Sequence, residues 1–127
     1  MILGGSAIIA AGGLGYKITR RPEAAIAPWA AAGGYDDIRK YALSYAILAP
    51  NPHNRQPWLV DLETPDHATL FVDTDRMLPH TDPLNRQIVI GLGCFLEVMK
   101  MAAAQRGYRV TFDLFPEGSD EEKIDAR

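Results

Sequence analysis

Cysteine is nearly absent from this sequence. Cys94 stands alone among 127 residues, so no internal disulfide can form, and no cysteine–histidine grouping has the spacing of a metal site. Charge of one sign is equally scarce. Thirteen Lys and Arg against sixteen Asp and Glu leave a formal net charge of −3 and a sequence pI near 5.5. That balance excludes a broad nucleic-acid surface, which needs clustered cations, and the acid excess is too slight for a disordered acidic tail. There is no glycine-rich phosphate loop of the P-loop or dinucleotide type, and no serine has histidine and aspartate partners at triad spacing. Cys94 itself sits in the apolar run Ile88-Val89-Ile90-Gly91-Leu92-Gly93-Cys94-Phe95-Leu96. It reads as a small buried hydrophobe, with no neighbouring base or cation to activate the thiol.

The chain is long enough for one small domain with one core, and its 47% hydrophobic content is ordinary for a globular protein. Its first stretch is not ordinary. Residues 1–16 carry no charged side chain, and Lys17, Arg20 and Arg21 follow. As a helix those residues would span about 24 Å, short of the roughly 30 Å hydrocarbon core of a bilayer. That is the length of a signal-peptide core or a thin anchor, with Ala25-Ile26-Ala27 as a small-x-small cleavage site downstream. The alternative is a buried helix, which five glycines in the first fifteen residues disfavour. No basic segment precedes the apolar run, so the true start is expected upstream. The expected division is an apolar signal or anchor over 1–21, a linker rich in Ala, Pro and Gly over 22–37, and a folded domain over 38–127. Basic residues after the run favour a cytoplasmic C-terminal side, whereas a signal sequence would send that side outward. A membrane-anchored or exported protein of the cell envelope, engaging the membrane or export machinery through its N-terminus, is therefore expected, with a cytoplasmic place left open.

Hydrophobic spacing organises the rest. Asp36 or Asp37 can cap a helix over 38–48, whose residues Ile38, Tyr41, Ala42, Tyr45 and Leu48 recur at three and four to form one buried face. Pro50 and Pro52 end it. Residues 58–62 and 68–73 read as an antiparallel hairpin around Thr64-Pro65-Asp66-His67. Asp82 and Pro83 open a helix over 83–106, apolar through its middle and so central in the core, which Gly107 stops. Residues 108–115 read as a third strand. Ser119 and Glu122 form a capping-box pattern, as if a further element were beginning, so the chain reads as a fragment or an early-terminated frame. The order helix-strand-strand-helix-strand, with an N-terminal apolar helix, defines an α+β fold.

The loop between the first helix and the first strand carries the densest chemistry: Ala49-Pro50-Asn51-Pro52-His53-Asn54-Arg55-Gln56-Pro57-Trp58. Three prolines stiffen it. Asn51, His53, Asn54, Arg55 and Gln56 supply many donors and acceptors, suited to a planar heterocycle with hydrogen-bonding edges or to a phosphate. The bland reading is a turn whose amides satisfy their own backbone, with Trp58 in the core. From composition the two readings stand level.

This loop resembles the Ala-Pro-Ser-x-x-Asn-x-Gln-Pro-Trp signature of the nitroreductase superfamily. Asn51 stands where serine is usual. Thr81-Asp82-Pro83-Leu84-Asn85-Arg86-Gln87, followed by an apolar helix with Gly93 and Glu97 and then Gly107-Tyr108, is similar to a two-lobed branch. Members of that branch often carry a twin-arginine export signal, and some sequester FMN rather than turn it over. Arg20 and Arg21 follow the apolar run and cannot be that signal's pair. The resemblance covers roughly residues 38–116 and implies the N-terminal part of a nitroreductase-like FMN domain. It implies cofactor contacts from Pro50, Asn51, Pro52, His53, Asn54 and Gln56, with Trp58 packed beneath. Arg86 either reaches a ligand phosphate or pairs with Asp82 one turn earlier. The family's Arg-rich phosphate segment has only Arg39-Lys40 as a weak counterpart. The implied chemistry is NAD(P)H-dependent reduction through FMN of a nitroaromatic or quinone, with no catalytic side chain and no metal; the flavin would carry the reaction. His53 and His80 read as loop hydrogen-bonders. The alternative is a non-catalytic flavin-binding or sequestering protein. Either way the site is expected to need a homodimer partner or a missing second lobe.

Overall fold

A computed structural model describes residues 23–116 and 118. The apolar run over 1–21 and the Ser119–Glu122 capping pattern lie outside the described residues. The architecture is α+β: three α-helices, two short 3-10 turns and one two-stranded sheet among the described residues.

Helix α1 spans Glu23–Ala31, inside the stretch whose composition suggested a linker. Alanine has the highest helix propensity, and five of the nine residues are alanine, which outweighs Pro28 within the helix. The Ala25-Ile26-Ala27 stretch is therefore helical here. No residue of α1 is buried. Gly33 turns the chain with φ of +79°, and an added Cβ there would lie 2.5 Å from the Tyr45 hydroxyl, so this turn requires glycine. Its N–H donates to Ser44 Oγ at 2.9 Å, while Ser44 donates to the Tyr41 carbonyl at 2.7 Å. Those two bonds explain how a buried serine is tolerated in a helix.

Helix α2 spans Ile38–Ala46, with Asp37 as its N-cap accepting from the Arg39 N–H at 2.8 Å. Its buried stripe differs from the expected one. Ala42, Ala46 and, just past the helix, Ala49 face inward, whereas Ile38, Tyr41 and Tyr45 are half-buried and Leu48 is exposed. The small side chains allow close approach to helix α3, Arg86–Gln105, and the larger residues flank the contact. Ala42 packs with Ala102 and Ala103; Ala46 and Ala49 pack with Phe95.

Strands β1 (Trp58–Asp61) and β2 (Thr69–Val72) form the expected hairpin, with Leu59 opposite Phe71 and Val60 opposite Leu70. Trp58, Val60 and Leu70 cover Phe95, and the Trp58 and Phe95 rings lie 5.0 Å apart. Period-two alternation leaves Leu59 and Phe71 on the outer face, about half exposed. The hairpin turn is fixed from outside: Arg39 Nη1 donates to the carbonyls of Leu62, Thr64 and His67 at 2.9 to 3.2 Å. The same guanidinium pairs with Asp37 at 2.9 Å, holding the Asp37 carboxyl down at about 2 and raising Arg39 above its usual range.

Two expectations require correction. Helix α3 begins at Arg86, three residues later than Pro83, because Asn85 adopts a left-handed conformation with φ of 54°, which asparagine tolerates. Asp82 still serves the helix start: its buried carboxylate accepts from the Ile88 N–H at 3.0 Å, the third helical donor, which an N-cap side chain commonly satisfies. The second correction is residues 108–115, which form no strand among the described residues. The chain leaves α3 through a Schellman motif, with Gly107 at φ of +79° donating to the Ala104 carbonyl and Tyr108 donating to that of Ala103. Helix α3 is long and apolar enough to cross a membrane; Ile88, Phe95, Ala102 and Ala103 are buried along it, while Val89, Ile90 and Met101 are exposed.

Candidate functional site

The loop over 49–57 leaves α2, crosses the N-terminal half of α3 and enters β1. Its seat is Gly91. A Cβ on that helical glycine would meet Pro52 Cδ at 3.0 Å and Asn51 Cβ at 3.5 Å, so hydrogen at this position lets the loop lie directly on the helix. At the far end Pro57 is fully buried and its carbonyl accepts from the Asp73 N–H at 3.0 Å, extending the hairpin ladder by one bond. Both ends of the loop thus rest on the core.

Between those anchors the polar residues divide into two sets. Asn51 and Arg55 work on the loop itself. Asn51 Oδ1 accepts from the Gln56 N–H at 2.7 Å and its Nδ2 donates to the Ala49 carbonyl at 3.3 Å. The Arg55 side chain donates to the carbonyls of Asp75 and Arg76 at 3.2 Å, and Arg76 Nη1 donates back to the Arg55 carbonyl at 3.0 Å. Arg76 is itself held by Asp73 at 3.0 Å. This exchange ties the loop to the 3-10 turn Thr74–Arg76 that follows β2.

The other set is His53, Asn54 and Gln56. All three are exposed, and their side chains make no hydrogen bond among the described residues. Each has φ of 50°, a left-handed conformation uncommon for a non-glycine residue and costing on the order of 1 kcal/mol or more. Three such residues within four positions are held by the Asn51 brace, the Asn54 N–H to Asn51 carbonyl bond at 3.2 Å and the Arg55 N–H to Pro52 carbonyl bond at 3.0 Å. Pro50 is exposed at the loop's start, and Pro52 is half-buried against Gly91.

Arg86 does not join this constellation. It is exposed at the start of α3 and makes no ion pair among the described residues. The expected pair with Asp82 does not form, because the Asp82 carboxylate turns inward to the Ile88 N–H. Arg39, the weak counterpart of a phosphate-binding arginine, is spent on Asp37 and three turn carbonyls. Trp58 packs beneath the loop against Phe95, as expected. Sequence reasoning missed Gly91, Asp73 and Arg76. The signal available for Gly91 was a glycine inside a long helical pattern, which usually marks close packing; nothing local announces the arginine exchange.

A separate groove of about 400 Å³ lies toward the other end of α3, lined by Tyr41, Tyr45, Val98, Met101, Ala102 and Gln105. It shares no lining residue with the loop. Tyr41 and Tyr45 meet edge to face at 5.3 Å, and the Arg106 guanidinium lies 4.0 Å over the Tyr41 ring. Hydrogen bonding to Tyr41 raises the Tyr45 phenol above its ordinary range. No group of three or more metal-ligating side chains occurs among the described residues.

Comparison with known proteins gives a consistent family signal. Over 85 residues, 66% of this chain, it is 38% identical to "Putative NAD(P)H nitroreductase acg" of Mycobacterium tuberculosis, covering 25% of that protein. Over 78 residues, 61% of the chain, it is 33% identical to "Putative NAD(P)H nitroreductase Rv3131" of the same organism, covering 22% of it. Over 75 residues, 58% of the chain, it is 28% identical to "Probable NAD(P)H nitroreductase PigM" of Serratia, covering 21% of it. These matches support the nitroreductase superfamily. The chain spans about a quarter of the length of the curated relatives it matches. No family model matches the chain, and no solved structure matches it.

Proposed function

We propose that this chain builds one wall of an FMN site in an NAD(P)H-dependent oxidoreductase of nitroreductase type. The observation that carries the proposal is the loop's division of labour: Asn51 and Arg55 hold it rigid while His53, Asn54 and Gln56 project polar side chains, unpaired among the described residues, from strained backbone. Local strain held by surrounding hydrogen bonds is a mark of preorganised binding segments. The names of the aligned relatives support the NAD(P)H part of the reading.

The donor set fits the cofactor. Carboxamide groups at Asn54 and Gln56 offer paired donors and acceptors that match the imide edge of a flavin ring, and His53 adds one more of either kind. Pro50 and Pro52 give the loop a stiff apolar surface against which a ring can lie. Arg86, free of ion pairing among the described residues, is the cation available for a phosphate. When bound, FMN would supply hydride transfer from NAD(P)H to a nitroaromatic or quinone acceptor. The chain's own residues would hold and orient the cofactor; none is required to move a proton. We place the completing wall in a homodimer partner or a second lobe, and the protein in the cell envelope, a reading supported by the uncharged run over residues 1–16.

The purified protein's visible spectrum tests this reading. A flavin band bleached by NADPH is expected. A band that does not bleach would favour the sequestering alternative, and a folded homodimer that takes up no flavin contradicts both.

A further inference from the structure

Gln56 owes its conformation to one peptide plane. Its φ of 50° is left-handed, and glutamine lacks the short side chain with which asparagine or aspartate can bond its own backbone there. Something outside the residue must hold it. The peptide joining Arg55 to Gln56 is fastened on both edges. Its N–H donates to Asn51 Oδ1 at 2.7 Å, and its carbonyl accepts from Arg76 Nη1 at 3.0 Å. Rotating that plane by half a turn would break both bonds and carry Gln56 back to negative φ, where L residues ordinarily lie.

Arg76 is itself aimed. Its Nε meets Asp73 Oδ2 at 3.0 Å, so the carboxylate holds one edge of the guanidinium and leaves another arm for the loop. Asp73 Oδ1 accepts from the Asp75 N–H at 3.1 Å, and the Asp73 N–H donates to the Pro57 carbonyl at 3.0 Å. The chain leaving β2 therefore grips the loop at residues 55 and 57, on both sides of Gln56. We propose that Arg76, aimed by Asp73, is a positioning residue for the cofactor: it locks the 55–56 peptide so that the exposed Gln56 carboxamide is preorganised to meet the ligand. The inference rests on the flavin reading above for the identity of that ligand; the lock is independent of it. The lock requires arginine at 76. One planar fork serves Asp73 and the Arg55 carbonyl together, whereas a lysine ammonium is a single point charge.

NMR of the whole chain without ligand reads the lock. A left-handed residue gives a strong NOE between its own amide and α protons, and the NOE weakens at negative φ. Arg76→Lys, which keeps a charge beside Asp73, is expected to weaken this NOE at Gln56 and to speed amide exchange there. Asp73→Asn should do the same to a smaller degree, since its carbonyl still accepts from the Asp75 N–H. FMN affinity, read by quenching of flavin fluorescence, should fall about fivefold in Arg76→Lys, the effect of one hydrogen bond. An exposed ion pair contributes little to the fold, so the urea midpoints should stay at the wild-type value. Lys100→Gln, which breaks the exposed pair with Glu97 on α3, should move none of these readouts. A Gln56 NOE that persists in both variants overturns the proposal. So does an NOE that weakens only as the urea midpoint falls, or a lost NOE with FMN affinity unchanged. A folded homodimer that takes up no FMN, with the NOE lost in the variants, contradicts the flavin reading and leaves the lock supported.

Discussion

The two ends of helix α3 use their polar neighbours in opposite ways. At the C-terminal end the groups turn on one another: Arg106 covers Tyr41, Tyr41 meets Tyr45, and Ser44 takes the Gly33 N–H. This end has the groove, yet its chemistry is already occupied. At the N-terminal end the loop seated on Gly91 splits its residues. Asn51 and Arg55 are consumed in holding the loop, and His53, Asn54 and Gln56 are left to solvent on left-handed backbone. A concavity therefore says less about ligand binding here than the difference between satisfied and unsatisfied polar groups does. Each substitution below disturbs one end and should leave the other unchanged.

The largest effect is expected at the seat. Gly91→Val places branched carbons where Pro52 already lies 3.0 Å from an added Cβ, and overpacking of this kind costs about 1 to 3 kcal/mol. Urea unfolding should show the loss, together with abolished flavin uptake, whereas Met101→Ala in the groove should leave uptake unchanged. Next is Asp82→Ala, which removes the acceptor for the Ile88 N–H at the start of α3 and should cost about 1 kcal/mol, as loss of a helix cap does. Asn51→Ala comes third. Removing the acceptor for the Gln56 N–H should cost about 0.5 to 1.5 kcal/mol and speed amide exchange at Gln56 without changing exchange near Tyr45.

The smallest effect concerns acid. Asp37 titrates at about 2 in the folded chain against an ordinary 3.8, chiefly because Arg39 hydrogen-bonds its charged form. A carboxyl whose folded value is lowered contributes stability that is complete above the ordinary value and lost as pH falls through the folded one. The wild type should therefore lose this increment between about pH 4 and pH 2. Asp37→Asn should flatten that part of the pH–stability curve, and a curve that keeps its slope in the variant removes the assignment.

Where sequence and structure agree, the signal is local. Asp37 caps the helix that its position announced, Gly107 ends α3, and Trp58 lies under the loop beside Phe95. Where they part, something distant decides. The buried face of α2 is set by how closely Ala42, Ala46 and Ala49 can approach α3, so the larger Leu48 is left outside. Residues 108–115 have strand chemistry but no partner strand among the described residues, and pairing is a property of two segments. Of the site, the loop's position and residue types were legible. Its internal allocation was not, because the Arg55 contacts lie about twenty residues away along the chain, at Asp75 and Arg76.

We propose that the outward set at the loop, and not the groove, meets the flavin. Amide and side-chain NMR shifts of the whole chain on addition of FMN test it most directly. Shifts are expected at His53, Asn54, Gln56 and Gly91, with Tyr41, Tyr45 and Met101 unmoved. Shifts confined to the groove residues, or no shift anywhere at millimolar FMN in a folded chain, would contradict it.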